Sequence, residues 1–310
     1  MNQAQNWPTD QVPTTNLSLR SATVTQGGQR RVSNRDVVFE HTTLTNRGDS
    51  ISLYIVCDGF GNDHAEFPAS QIAVQAIVSE LESIFSVMNS QSDPSLTQPS
   101  LLTVQAWLQT AVAYANHKVW SYNQSLLSED EPAIGTTLTL VLVYGDHAFI
   151  ANIGDSRTYI WRAGQITQIT RDHSWVAELV RSGLITEDEA VSHPQKNIIC
   201  RALGLRDQVE ADFFKWQLLP GDKLLLCTDG LWKSFPDATE LSDWLSLTSE
   251  PEEICDQLVA EASYRDDFDD IGVVHVQVNR PVHLHEKKTA NVHSPIFAKS
   301  AVPAPIVLMN

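Results

Sequence analysis

Leu53-Tyr54-Ile55-Val56-Cys57-Asp58-Gly59 and Leu224-Leu225-Leu226-Cys227-Thr228-Asp229-Gly230 end alike: an apolar run stops at Asp-Gly. An apolar run of this length reads as a buried strand. The acid at its end then stands at the rim of a sheet, with the core behind it. The following glycine lacks a Cβ, which lets its backbone carbonyl approach a ligand closely. Two carboxylates converging on one rim repel each other unless a cation lies between them. Hard oxygen ligands suit Mg²⁺ or Mn²⁺. A divalent-metal site is therefore the first expectation.

The surrounding composition narrows the class. A chain of 310 residues that is 42% hydrophobic has enough apolar material for a substantial core. Its formal net charge of −17 and pI near 4.8 argue against a nucleic-acid backbone or an anionic membrane as partner. The cysteines Cys57, Cys200, Cys227 and Cys255 show no C-x-x-C spacing, and three of them lie inside apolar runs. No disulfide framework is implied, which favours a reducing compartment. The segment Met1–Asn16 is polar and lacks the apolar stretch of a signal peptide. No stretch approaches the ~20 apolar residues of a membrane span. A soluble, cytoplasmic protein is expected.

Residues 1–18 read as a flexible leader, 19–280 as one domain, and 281–310 as a disordered tail. Strands are expected at Ile51–Cys57, Thr137–Tyr144, Ala148–Ile153, Arg157–Trp161, Ala211–Gln217, Lys223–Cys227 and Ile271–Val278, all rich in β-branched or aromatic residues. Hairpin turns are expected at 144–147 and 162–165. Helical periodicity runs through Val74, Ile77, Val78, Leu81, Ile84 and Phe85, with Ser70 as the expected cap, and again through Leu101–Val119. Pro251 opens a third helix, at a position where its missing N–H costs nothing. Hairpin-linked strands and paired helices predict an α+β fold with antiparallel sheets.

Asp36, Asp58, Asp155, Asp229 and Asp269 are the candidate ligands. Taken singly, each reads as a turn or cap residue as readily as a ligand. Asp269 ends the acidic stretch Asp266-Asp267-Phe268-Asp269-Asp270, which also reads as a solvated loop. His173 reads equally as a partner for a buried carboxylate.

In order, however, the segments form a pattern. Arg31-x-x-Asn34-x-Asp36, Asp58-Gly59-x-Gly61, Gly135-Thr136-Thr137, Gly154-Asp155-Ser156-Arg157, Thr170-Arg171-Asp172-His173-Ser174, Asp229-Gly230 and Asp269-Asp270-Ile271 resemble the metal-dependent serine/threonine protein phosphatases, the PPM or type 2C family. The stretch from Gly135 to Gly204 is most similar to the bacterial members, including a flap region at about 174–204. The resemblance implies a four-layer α/β/β/α sandwich, two antiparallel sheets flanked by helices. It implies two Mg²⁺ or Mn²⁺ ions. Asp58 would bridge them, the Gly59 carbonyl would bind the second, and Asp229 and Asp269 would complete the first. Asp36 would act through metal-bound water. Asp155 with Asp229 matches a third, weaker metal position, and Arg31 matches the arginine that grips the phosphoryl group. The implied reaction is hydrolysis of phosphoserine or phosphothreonine on proteins by a metal-bridged hydroxide attacking phosphorus in line. The implied partners are phosphorylated proteins, targets of a Ser/Thr kinase, met by a monomer.

Departures from the family pattern cluster beside Asp58. Arg35 stands where the family usually has Glu. The loop Asp58-Gly59-Phe60-Gly61-Asn62-Asp63 replaces the usual Asp-Gly-Met-Gly-Gly-His, and Asp270 and Gly272 replace the usual residues of the last motif. They leave open a rival reading, a pseudophosphatase that binds phosphoproteins or a regulatory partner without turnover.

Overall fold

The computed structural model describes residues 17–29, 33–45, 48–62, 65–90, 99–125, 132–265 and 269–280. The chain opens with β1 (Ser18–Gln26), β2 (Val37–Leu44), β3 (Ser50–Cys57) and the two-residue β4 (Gly59–Phe60). Two long helices follow, α1 (Ala69–Ser90) and α2 (Leu101–Ser125). Next come β5 (Gly135–Thr136), β6 (Leu138–Tyr144), β7 (His147–Ile153), β8 (Arg157–Arg162) and β9 (Gln165–Gln168). Short helices α3 (Trp175–Arg181) and α4 (Glu187–Ser192) precede β10 (Asp212–Gln217) and β11 (Lys223–Cys227). The described chain ends with α5 (Asp229–Trp232), α6 (Ala238–Ser246), α7 (Pro251–Arg265) and β12 (Ile271–Asn279).

Two five-stranded sheets are antiparallel at every pairing, in the orders β1-β12-β11-β8-β9 and β10-β7-β6-β3-β2. Strand periodicity explains why the deciding runs carry no polar residue. Along β3, Ile51, Leu53, Ile55 and Cys57 pack with α1 and α2, whereas Tyr54 and Val56 face the other sheet. Along β11, Leu225 and Cys227 pack with α5, α6 and α7, whereas Leu224 and Leu226 meet the inner face of the sheet that contains β3. A strand with core on both faces has no side left for a polar residue. The result is the expected four-layer sandwich of helices, sheet, sheet and helices.

Both expected hairpins are present, with Tyr144 paired to His147 and Arg162 to Gln165. At the second, Ala163 and Gly164 both have positive φ, 50° and 86°, the backbone twist that suits a two-residue hairpin turn. Cys57, Cys227 and Cys255 are buried and Cys200 is exposed; all four are free.

Beyond the expected elements the structure adds β1, β2, β4, β5 and β9 and the helices α3 to α6, and it departs from the sequence reading at Ser70. β1 and β2 precede the first expected strand, and both are partly exposed over much of their length. Ser70 does not cap α1, which begins one residue earlier. It is fully buried, and its hydroxyl donates to the Arg35 carbonyl at 2.6 Å, fastening the helix start to the segment before β2.

Candidate functional site

Asp58 leaves β3 at the rim, as its run predicts. Its N–H donates to Thr137 Oγ1 at 2.9 Å, and its carbonyl accepts from the Thr137 N–H at 2.9 Å and the Thr136 hydroxyl at 2.9 Å. With both backbone groups satisfied, the carboxylate is free to face the rim. β4, paired to β5 directly afterwards, carries Gly59. A Cβ on Gly59 would lie 2.9 Å from Ser70 Oγ and 3.0 Å from the Arg35 carbonyl. The room made by this glycine, expected for a ligand, is occupied by the protein's own chain.

Asp36 enters β2 buried, at 4% exposure, and neither carboxylate oxygen has a hydrogen-bond partner among the described residues. Asp269 sits just ahead of β12. Asp270, beside it, is committed to the fold: its two oxygens accept from the Gly28 N–H at 3.0 Å and the Arg35 N–H at 2.9 Å. Arg35 is 8% exposed and turns its guanidinium inward, where Nη1 donates to the Gly61 carbonyl at 2.9 Å. It braces the altered loop from inside.

Asp155 follows β7 through Gly154, and Asp229 opens α5 directly after β11. Asp155 is 2% exposed, its Oδ1 lacks a partner, and its carbonyl accepts from the Trp232 indole N–H at 2.9 Å. Asp229 Oδ2 accepts from Lys233 Nζ at 2.6 Å. Arg157 lies over the Trp232 ring, 3.5 Å from its centroid, and is paired to Asp172 through three hydrogen bonds. His173 is buried and accepts from the Gly154 N–H at Nδ1, 3.2 Å away. Burial lowers its pKa, with Asp212 pulling the other way, so the neutral ring holds the turn ahead of Asp155.

Five candidate aspartates thus gather at one end of the two sheets, close enough to feel one another's charge. Burial raises the Asp58 carboxyl well above the ordinary range, and Asp36, Asp229, Asp155 and Asp269 raise it further. Burial likewise raises Asp36, and the charges of Asp229, Asp270 and Asp269 add to it. Burial, then Asp229, pushes Asp155 up to about 7, with Lys233 opposing. Among the described residues no three acidic, His or Cys side chains are grouped tightly enough to hold an ion as they stand. The donor chemistry nevertheless fits a hard divalent cation. It is all oxygen, it is partly desolvated, and three of its buried oxygens (both of Asp36 and Oδ1 of Asp155) have no donor among the described residues.

Arg31, the expected phosphoryl-binding arginine, lies outside the described residues. Sequence reasoning passed over Lys233, whose one signal is its place four residues after Asp229 on a helix. It placed Thr137 in one of the ordered blocks but gave its side chain no role.

The protein phosphatase 2C family model matches residues 31–261. The serine/threonine phosphatase stp of Listeria welshimeri is 34% identical over 260 residues, 82% of this chain and 94% of that protein. The S. agalactiae serine/threonine phosphatase structure superposes with a TM-score of 0.70 at 31% identity, covering 84% of this chain and 100% of that one. The catalytic domain of the serine/threonine protein phosphatase PstP, in complex with two manganese ions, superposes at 0.66 with 30% identity, covering 85% and 99%. The same ordered blocks, the same sandwich and the rim of aspartates lead to one conclusion: the chain belongs to the protein phosphatase 2C family of metal-dependent serine/threonine protein phosphatases.

Proposed function

We propose that this rim hydrolyses phosphoserine and phosphothreonine on protein substrates with two bound Mg²⁺ or Mn²⁺ ions. One observation carries the reading: five aspartates share one rim, where burial first and their mutual repulsion second raise the carboxyls of Asp36, Asp58 and Asp155. Bound there, such ions would supply activation of a water and neutralise charge developing on the phosphoryl oxygens. Asp58 would be held in common by the two ions, with the Gly59 carbonyl contributing to one and Asp229 and Asp269 to the other. Asp36 orients the attacking water and holds its proton. Arg31 receives the phosphoryl group through a bidentate guanidinium fork. Asp155 and Asp229 offer a third, weaker position.

The net charge of −17 supports a protein rather than a nucleic-acid partner. Among the described residues no helix is long and apolar enough to cross a membrane. We place the enzyme in the cytoplasm as a monomer acting on the targets of a Ser/Thr kinase. The binding-only alternative drew its support from Arg35 and from the altered loop after Asp58; of these, the Arg35 guanidinium is directed to the Gly61 carbonyl of that loop. The decisive assay is release of phosphate from a phosphothreonine peptide with Mn²⁺ and with chelator. Turnover that needs Mn²⁺ and disappears in Asp58→Asn is expected. Phosphopeptide binding without turnover would establish the alternative.

A further inference from the structure

We propose that Lys233 is a built-in cation of the Asp155–Asp229 pair, occupying the place of a divalent ion there and tying the flap to that pair through Asn197. The inference rests on the proposed reading that these carboxylates hold cations, and it concerns a residue that no family motif quoted above contains.

The geometry begins with one turn of helix. Asp229 opens α5, and the Lys233 N–H donates to the Asp229 carbonyl at 2.9 Å, which sets the two side chains on one face. The Lys233 ammonium then donates to Asp229 Oδ2 at 2.6 Å and to Asn197 Oδ1 at 2.9 Å. An ordinary exposed pair at this spacing contributes only a few tenths of a kcal/mol. This pair differs in two respects. The side chains are only 27% and 11% exposed, and the ammonium also reaches a second element, the 174–204 segment that carries Asn197. Across from it, Asp155 keeps a buried oxygen without a partner, while its own carbonyl is held by Trp232, the residue next to Lys233.

An ammonium and a divalent ion cannot both occupy Asp229 Oδ2 at contact distance, since like charges there repel strongly. A cation entering between Asp155 and Asp229 therefore displaces Lys233, and with it the bond to Asn197. Occupancy of this position and anchoring of the flap become linked, each opposing the other to the same extent. Lys233 acts through Asp229 and Asn197, which makes it a positioning residue.

Two measurements on the full chain test this. Calorimetric titration with Mn²⁺ compares the parent, Lys233→Met and Lys233→Arg. The methionine variant is expected to bind its weakest Mn²⁺ on the order of tenfold more tightly, because one opposing charge is gone, with the tighter sites unchanged. Lys233→Arg, which keeps the charge, should restore the parent isotherm. Equal weak-site affinity in the parent and Lys233→Met, with tight sites intact, overturns the proposal. Absence of any Mn²⁺ binding would instead overturn the metal reading beneath it. The second measurement needs no metal: amide hydrogen exchange of residues 193–198 should quicken in Lys233→Met and in Asn197→Ala. Unchanged exchange in both variants overturns the tie to the flap.

Discussion

Asp58 and Thr137 hold each other by two reciprocal hydrogen bonds. The Asp58 N–H donates to Thr137 Oγ1 at 2.9 Å, and the Thr137 N–H donates to the Asp58 carbonyl at 2.9 Å. The Thr137 hydroxyl is also 2.7 Å from Ser156 Oγ, next to Asp155. One side chain thus links the turns that present two of the rim aspartates. Thr137→Val keeps the shape and removes the hydroxyl, leaving the Asp58 N–H without its acceptor. A loss of about 1–3 kcal/mol in unfolding free energy is expected, together with a higher Mn²⁺ requirement for turnover. Thr137→Ser keeps the hydroxyl and should restore the Mn²⁺ requirement. Denaturant midpoints and Mn²⁺ titration of activity read the two effects separately, and an unchanged Mn²⁺ requirement in Thr137→Val would remove the link to Asp58.

Glycine follows both rim aspartates for a reason internal to the protein. A Cβ on Gly230 would lie 2.1 Å from the Asp270 carbonyl oxygen, a backbone atom with little room to yield. The absent side chain lets the turn after β11 lie directly against the turn before β12. Gly230→Ala should therefore push Asp269 and Asp270 away from Asp229, lowering stability by about 1–3 kcal/mol as an overpacked site does. It should also weaken Mn²⁺ binding. Gly164→Ala is the contrast: its φ is 86° with nothing within 4 Å of the added Cβ, so only backbone strain is introduced, about 1–2 kcal/mol. Mn²⁺ affinity should fall in the first variant and stay level in the second. Equal affinity in both would refute the packing role.

The double-faced strands were legible because burial on both sides leaves an uninterrupted apolar run, as in Leu53–Cys57 and Leu224–Cys227. β2 was not legible, for the converse reason. It is an edge strand whose residues Glu40, His41 and Thr42 are exposed, so neither a continuous run nor a clean alternation marks it. The rim aspartates stood out by lying at run ends and in order. Their surroundings did not. That Arg35 turns inward to Gly61, or that Lys233 bridges Asp229 and Asn197, depends on contacts between residues 26 and 36 positions apart, which no local pattern encodes. Asp270 shows the same limit. It neighbours a candidate ligand in an acidic stretch, yet its oxygens are taken by the Gly28 and Arg35 amides.

The pH dependence of stability should carry the mark of His275, a β12 residue outside the aspartate rim. Its ring is fully buried, Nδ1 lies 3.2 Å from the Leu224 carbonyl, and Nε2 has no partner. Burial, helped by the positive charge of Lys223, lowers its pKa from 6.5 to about 4, with the bond to Leu224 opposing. The unfolded chain therefore binds a proton at His275 more readily than the folded one. Stability from this group is fully present above pH 6.5 and is lost as pH falls toward 4. The loss is about 3 kcal/mol, at roughly 1.4 kcal/mol per pH unit. Asp155, raised to about 7, works in the opposite direction: the folded protein holds its proton more firmly, so stability falls as pH rises toward 7. Comparing the parent with His275→Leu separates the two, because the aspartates are common to both. Denaturant unfolding of metal-free protein between pH 4 and 7 should show the parent losing stability to acid more steeply than His275→Leu. Parallel curves would mean that His275 takes up its proton at the same pH in both states.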